Sequence, residues 1–179
     1  TARKIPVSLY TTPELIQQAA YTTDVMARVL AMYEKVFRIA YPLPKLDALV
    51  SADFDFGAME NWGLITGRTS VFLHDETMGL RGQKNAASVM SHEIAHMWFG
   101  DIATMAWWDN LWLNEAFATL MGEAIILDRV YPEWKSSREF VVMHWMRALE
   151  LDAMRSSHAI ELPFRSARVE DEIAQVFDW

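Results

Sequence analysis

The stretch His92-Glu93-Ile94-Ala95-His96 places two histidines four positions apart, with a glutamate beside the first of them. Residues four apart on an α-helix lie on the same face, so both imidazoles would point toward one place. Two ligands of a single tetrahedral zinc ion must converge in this way. Glu93 could then reach a water on the metal as a general base. The stretch therefore predicts a helix that carries a metal site.

A third ligand is needed, because a catalytic zinc usually has three from the protein. The chain has 179 residues and 5 histidines, and Phe99 and Ile102 exclude the extended pattern with a third histidine. Glu115 lies in an apolar run, where a carboxylate is rarely buried unless it is paired or metal-bound. An acid at a helix N-terminus is the alternative interpretation of Glu115. Next to His92 and His96, the ligand role is favoured.

Composition restricts the remaining possibilities. The length suits one domain, and 52% hydrophobic residues exclude a disordered chain. The net charge of −8 argues against nucleic acid as a partner. No cysteine is present, which excludes disulfides, zinc fingers and thiol catalysis. No apolar run reaches the roughly 18 residues of a membrane span. Any metal must be held by His, Asp and Glu.

The apolar spacing predicts an α+β domain dominated by helices. Strands are expected over 4–10, 46–54, 64–73 and 102–108, with a glycine-bearing segment over 57–63. Helices are expected from Pro13 to about 39, from 85 to 99 with Gly100 as terminator, over 111–130, and from Pro132 to about 154.

Two motifs together resemble the M1 family of zinc aminopeptidases, which are gluzincins. The first is the histidine motif followed, after eighteen residues, by Glu115. The second is Gly57-Ala58-Met59-Glu60-Asn61, which is similar to the exopeptidase motif of that family. Trp98-Phe99-Gly100 also agrees, and the likeness covers essentially the whole chain. Within the family the chain is most similar to the puromycin-sensitive-like, fungal cytosolic branch.

The resemblance implies a thermolysin-like catalytic domain, helix-dominated with a small mixed sheet, of which this chain is the first part. Residues 1–10 would be the tail of an upstream β-domain, and residues 11–179 the N-terminal part of the catalytic domain. The family pattern that ends in a catalytic tyrosine would begin at Phe177-Asp178, so that tyrosine would follow Trp179. The family's C-terminal helical domain would also be absent.

The resemblance also implies roles for individual residues. One zinc ion would be held by His92, His96 and Glu115, and Glu93 would be the general base. The substrate would be a peptide with a free N-terminus, bound along Gly57, Ala58, Met59, Glu60 and Asn61. Glu60 would hold the α-amino group, and the backbone of Gly57 and Ala58 would pair with the substrate as an added strand. The chain alone is expected to bind zinc but to have little peptidase activity.

Alternatives remain open at this stage. One branch of the family also hydrolyses a lipid epoxide, but that branch typically has glycine at the position of Ala58. A catalytically silent scaffold is a second alternative, although such relatives usually lose the zinc motif. Thr119 stands where thermolysin-type endopeptidases have an acid that orients a zinc histidine. This difference weakens the hypothesis that the chain is an endopeptidase. The outer partners of the two histidines are therefore not identified.

Two further expectations concern the rest of the chain. His144 lies on an apolar helix face and is expected to be a packed core histidine rather than a ligand. The absence of cysteines and of Asn-x-Ser/Thr sequons fits a cytoplasmic location.

Overall fold

The computed structural model describes residues 4–161, and within them four strands form one small sheet. The order is β1-β2-β4-β3, with β1, β2 and β4 parallel and β3 antiparallel to β4. The mixed sheet is therefore confirmed, and β3 lies at its edge. The strands are β1 Val7–Tyr10, β2 Leu46–Ser51, β3 Ala58–Met59 and β4 Leu64–Arg68.

Helices make up most of the described chain, which confirms the helix-rich α+β class. A 3-10 turn, Pro13–Ala19, leads into the first helix, and π-helical segments Leu120–Ile126 and Val141–Trp145 continue α4 and α6 without a break. The α-helices are α1 Ala20–Phe37, α2 Thr69–Phe72, α3 Gly79–His96, α4 Leu111–Thr119, α5 Leu127–Val130, α6 Ser136–Phe140 and α7 Met146–Asp152.

The strands predicted over 4–10 and 46–54 are present but shorter, as Val7–Tyr10 and Leu46–Ser51. The other two strand predictions differ more from the structure. The strand expected over 64–73 ends at Arg68, because the chain turns into α2 and folds the buried Phe72 ring back over Gly67. A Cβ at Gly67 would lie 2.2 Å from that ring, so only glycine permits this packing. The strand expected over 102–108 is wrong: the described structure has only an isolated bridge between Phe99 and Ala103, part of a tight turn.

The core lies between the sheet, α1 and α3, and it fixes the position of α3. Along α1, the buried side chains recur at helical spacing, and Val25, Met26 and Val29 are fully buried. Each such side chain contributes about 1.5–3 kcal/mol relative to exposure. The Tyr33 hydroxyl of α1 donates a 2.9 Å hydrogen bond to the carbonyl of Ser91 on α3. This bond is formed one residue before His92.

The C-terminal end of α3 is closed by the turn that follows it. The helix begins at Gly79, earlier than predicted, and ends at His96 rather than at 99. The amide of Asp101 donates a 3.0 Å hydrogen bond to the His96 carbonyl. Gly100 has φ +132°, a conformation that favours glycine. The Trp98 indole donates to the Ile39 carbonyl at 3.2 Å, which anchors the turn on the segment after α1.

Candidate metal centre

The structure brings His92, His96 and Glu115 together, although Glu115 lies on a different helix. The two histidine Nε2 atoms are 3.0 Å apart, and Glu115 Oε2 lies 3.2 Å from His92 Nε2 and 3.6 Å from His96 Nε2. Among the His, Asp and Glu side chains of residues 4–161, these three are the ones whose geometry could hold a metal ion. The eighteen-residue separation is closed by the turn after α3 and the antiparallel return of α4.

The three ligand atoms fit one zinc ion. A tetrahedral ion with nitrogen and oxygen ligands at about 2.0–2.1 Å holds those atoms about 3.4 Å apart. The observed separations of 3.0, 3.2 and 3.6 Å bracket that value. Two imidazoles and one carboxylate also match the donor types of catalytic zinc sites. The residues present therefore fit this ion.

Close contact between two helices makes this convergence possible. Gly122, in the π-helical segment after α4, lies against α3 so closely that a Cβ there would be 2.8 Å from the His92 amide nitrogen. The Ser91 hydroxyl donates a 3.0 Å hydrogen bond to the Gly122 carbonyl. π-Helical segments frequently occur at functional sites. Here the π-helical segment carries Gly122, which follows Glu115 by one and a half to two turns. The close approach at Gly122 brings Glu115 within reach of both histidines.

Each histidine has an outer partner at Nδ1. His96 Nδ1 lies 3.0 Å from the Phe99 carbonyl oxygen and 3.2 Å from Asn114 Oδ1. Both oxygens accept hydrogen bonds, so Nδ1 carries the proton and the lone pair of the neutral ring is at Nε2. His92 Nδ1 lies 3.2 Å from the Thr119 hydroxyl oxygen. Such partners orient the ligands of a metal site.

The ligand group is strongly charged and mostly shielded from solvent. Burial opposes ionisation of Glu115, but hydrogen bonds from His92 and His96 lower its pKa to about 2. Burial likewise opposes a charge on His96, but the carboxylates of Glu115, Glu60 and Glu93 outweigh it and raise its pKa to about 9. Without an ion, the imidazolium and the carboxylate thus compensate each other.

Glu93 lies beside the ligands but makes no hydrogen bond with its Oε2 atom among the described residues. Its side chain is buried, with 5% exposed. The pKa of Glu93 is raised to about 8, mainly by burial and also by the charges of Glu60 and Glu115, while His96 opposes the shift. An unpartnered buried carboxylate beside a metal-binding group needs a water, a proton or a cation.

The segment over 57–61 lies at the sheet edge next to this centre. Ala58 and Met59 pair with β4, and their other side is unpaired within the described chain. Glu60 Oε1 lies 3.8 Å from His96 Nδ1 and accepts a 3.1 Å hydrogen bond from Asn114 Nδ2. Asn61 instead donates to the Thr66 hydroxyl at 2.8 Å and is exposed. Of the five residues in this motif, Glu60 is the one whose side chain faces the ligand group.

A cavity of about 800 Å³ extends from His92, Glu93 and Glu115 along α6 and α7, with a mainly apolar wall. His144 lines it, and the expectation of a packed core histidine is wrong. Its side chain is 39% exposed, and Nε2 lies 2.9 Å from Glu123 Oε2. The pairing explains why an imidazole occurs on this otherwise apolar helix face.

Comparison with known proteins agrees with this geometry. Residues 21–179 match the model of the peptidase family M1 domain. The chain belongs to peptidase family M1. Both the histidine motif on α3 and the Glu60 segment on β3 lie within the matched residues, so the family assignment and the candidate site refer to the same part of the chain.

Three named relatives show the breadth of this M1 similarity. The chain is 45% identical over 176 residues to the alanine/arginine aminopeptidase of Saccharomyces cerevisiae, covering 98% of this chain and 20% of the relative. It is 39% identical over 176 residues to a leucyl aminopeptidase of Saccharolobus solfataricus, covering 98% and 22%. It is 41% identical over 179 residues to the endoplasmic reticulum aminopeptidase 1 of Rattus norvegicus, covering 99% and 19%. The M1 chain thus spans about a fifth of the length of these relatives.

The sequence analysis did not predict a role at the M1 centre for three groups: Asn114, Gly122 and the hydroxyl of Thr119. Thr119 follows Glu115 by four positions, so its place on the same helix face was available from spacing alone. An isolated glycine inside a helical pattern, as at Gly122, usually has a packing reason. No comparable signal marks Asn114.

Along the described part of the chain, none of the helices has the length and apolar character needed to cross a membrane.

Proposed function

We propose that this chain supplies the metal centre and the amine-binding residue of a zinc-dependent aminopeptidase, which removes the N-terminal residue of peptides. One observation carries the proposal: Glu60, an anionic side chain at a sheet edge, lies 3.8 Å from His96 in the group formed by His92, His96 and Glu115. A carboxylate at a fixed place beside a metal can hold a substrate ammonium, and it thereby sets which peptide bond lies over the metal.

The ligands in this proposal are His92 Nε2, His96 Nε2 and Glu115 Oε2. Zinc bound there would lower the pKa of its water and polarise the carbonyl of the scissile bond. Phe99 and Asn114 hold the proton of His96 on Nδ1, and Thr119 contacts Nδ1 of His92. These contacts leave both Nε2 atoms directed to the same point as Glu115.

Glu93 is the general base of this proposal. Its carboxylate would take a proton from the attacking water and later deliver it to the leaving amine. The unpartnered Oε2 atom is free to make that contact. Burial raises the pKa of Glu93, so this carboxylate takes up a proton more readily than an exposed glutamate does. Both features support a role in moving protons rather than in holding the fold together.

Substrate binding would use the edge of the sheet. The unpaired side of β3 offers backbone groups next to Glu60, and an extended peptide can add there as a further strand. The ammonium of that peptide would neutralise Glu60, whose side chain is 17% exposed and thus accessible. A blocked N-terminus carries no ammonium group and would lose this contact. The arrangement therefore favours an exopeptidase over an endopeptidase.

The activity of the whole protein is part of the same proposal. The relatives named above carry aminopeptidase names, which supports peptide substrates and disfavours the epoxide hydrolase and scaffold alternatives. The tyrosine pattern expected from Phe177-Asp178 lies outside the described residues. Because the chain spans about a fifth of its relatives, we expect it to bind zinc by itself but to have little peptidase activity. An upstream β-domain and a C-terminal helical domain remain part of this expectation.

The proposal is tested in the full-length protein that contains this segment. We expect Glu93→Gln to reduce hydrolysis of an amino-acid anilide by at least a hundredfold, the range of general-base effects, with zinc content unchanged. Glu150→Gln, an exposed change of the same kind on α7, is the matched control and should keep full activity. Equal activity of Glu93→Gln and Glu150→Gln would refute the proposed base.

The isolated chain provides a second test. One equivalent of zinc should bind, and His92→Ala or Glu115→Ala should abolish that binding. Steady anilide turnover by the isolated chain, lost in Glu93→Gln, would show that the expectation of low activity is wrong. The cytoplasmic location stays a prediction, because one yeast relative is named as mitochondrial and a rat relative as a protein of the endoplasmic reticulum.

A further inference from the structure

The side chain of Asn114 lies between the amine-binding residue and the metal ligands. Its Nδ2 atom donates hydrogen bonds to Glu60 Oε1 at 3.1 Å and to Glu115 Oε1 at 3.3 Å. Its Oδ1 atom accepts from His96 Nδ1 at 3.2 Å. Within residues 4–161, Asn114 is the one side chain that donates a hydrogen bond to Glu60. The 3.8 Å between Glu60 and His96 is too long for a direct hydrogen bond.

The chemistry of the three neighbours determines the orientation of this amide. Carboxylates of Glu60 and Glu115 only accept hydrogen bonds, so the NH₂ group must face them. The Nδ1 proton of His96 needs an acceptor, which the amide oxygen supplies. Reversing the amide would set its oxygen against two carboxylates and its NH₂ against the proton on the imidazole. An asparagine side chain satisfies all three contacts at once.

Backbone packing holds Asn114 in this place. Asn114 lies in the first turns of α4, directly before Glu115, and is 8% exposed. Opposite it, Gly100 approaches so closely that a Cβ would be 2.4 Å from Asn114 Oδ1. Gly100 also has φ +132°. The turn after α3 therefore leaves a slot that is shaped for the amide, and Asn114 has little freedom to move.

We propose that Asn114 is a positioning residue that fixes the distance between Glu60 and the metal ligands, and so sets the preference for substrates with a free α-amine. This inference rests on the proposed function. Glu60 follows an edge strand of two residues and has no other side-chain donor among the described residues, so without Asn114 its carboxylate could turn toward solvent. His96 would keep the Phe99 carbonyl as a partner. Loss of Asn114 should therefore affect amine recognition more than metal binding.

The test measures this preference by binding rather than by turnover. The probes are leucine hydroxamate, which has a free α-amine, and N-acetyl-leucine hydroxamate, titrated by calorimetry into the zinc-loaded full-length protein that contains this segment. The wild type should bind the free amine more tightly. A hydrogen bond to a charged group contributes about 1.5–3 kcal/mol, so Asn114→Leu should lower the affinity ratio of the two probes by about tenfold or more. Zinc affinity should fall by less than that factor.

Controls separate positioning from a general structural effect. Asn85→Leu makes the same chemical change at an exposed site on α3 and should leave the ratio unchanged. Asn114→Ala is smaller, and circular dichroism shows whether each variant is folded. If Asn114 acts through Glu60, adding Asn114→Ala to Glu60→Ala should not change the ratio further.

The outcomes are distinguishable. A ratio within twofold of the wild type in a folded Asn114→Ala or Asn114→Leu variant overturns the inference but leaves the proposed function standing. An additional loss in the double variant also overturns it, because Asn114 would then act independently of Glu60. A wild-type full-length protein that binds no zinc, or that binds both probes equally, refutes the proposed function and this inference with it.

Discussion

The Thr119 hydroxyl oxygen lies 3.2 Å from His92 Nδ1, on the side of the imidazole opposite the other ligands. The resemblance described from the sequence implies an acid at this position in thermolysin-type endopeptidases. A neutral hydroxyl places less negative charge beside the ring than a carboxylate would. The contact can still hold the ring plane, because the other ring nitrogen is then directed at His96 and Glu115.

Thr119→Val should weaken zinc binding by roughly tenfold, the lower end of the effect of removing such an outer partner. Valine keeps the shape of threonine but cannot hydrogen-bond to His92. The measurement is a zinc titration in competition with a chromophoric chelator. Thr119→Ser retains the hydroxyl and should restore most of the affinity. If valine and serine variants bind zinc equally well, the Thr119 contact has no part in holding His92.

Gly122→Ala should destabilise the fold by about 1–3 kcal/mol, the usual cost of overpacking. The added Cβ would lie 2.8 Å from the His92 amide nitrogen and 3.0 Å from its Cα, and a backbone cannot move aside as a flexible side chain can. Urea unfolding gives the free energy, and zinc affinity should fall with it. Gly57→Ala is the matched control for stability, since a Cβ at Gly57 meets no atom within 4 Å. Equal stability of the two variants would contradict the close helix contact.

Metal removal should lower the melting temperature. Zinc at 100 times its dissociation constant stabilises the folded chain by about 2.7 kcal/mol, because the ion binds the folded state and not the unfolded one. For a chain of this size, that corresponds to a rise of roughly 5–10 °C over the chelated protein. Glu115→Gln should lose most of the rise, whereas Glu150→Gln should keep it. A melting temperature that zinc does not change would count against a structured metal centre.

The Glu123–His144 pair predicts a pH dependence of stability. The hydrogen bond to Glu123 raises the pKa of His144 above its ordinary value of 6.5, against a smaller opposing effect of burial. A raised histidine pKa stabilises the fold below pH 6.5, and this stabilisation is lost as the pH rises through the folded pKa. His144 is 39% exposed, so solvent screening limits the contribution to about 0.5 kcal/mol.

Urea unfolding at pH 6 and pH 9 measures this contribution. The wild type should lose more stability over that interval than His144→Gln, and Glu123→Gln should behave like His144→Gln. An identical pH dependence in all three proteins would show that the pair does not stabilise the fold.

Much of the site could be predicted because its signals are local. The spacing of His92 and His96 requires only a helix, and the helix is present. The α+β class also follows from apolar periodicity, since most helices were expected where they occur. The segment over 102–108 shows the limit of this reasoning: its mostly apolar residues favour a strand, but the hydrogen bonds after Gly100 close a turn instead.

The sequence by itself determined the chemistry available to this M1 chain: two imidazoles on one helix face, carboxylates at Glu60, Glu93 and Glu115, and no thiol. Those properties depend on residue type and on spacings of a few residues. Only the tertiary structure decided which of these groups meet. At Gly122 the backbone approaches α3 more closely than a side chain would permit, and at Gly100 it approaches Asn114 in the same way. Asn114 then joins Glu60 to His96 by hydrogen bonds. Contacts of this kind depend on packing between segments that are distant in the chain, which no local pattern records.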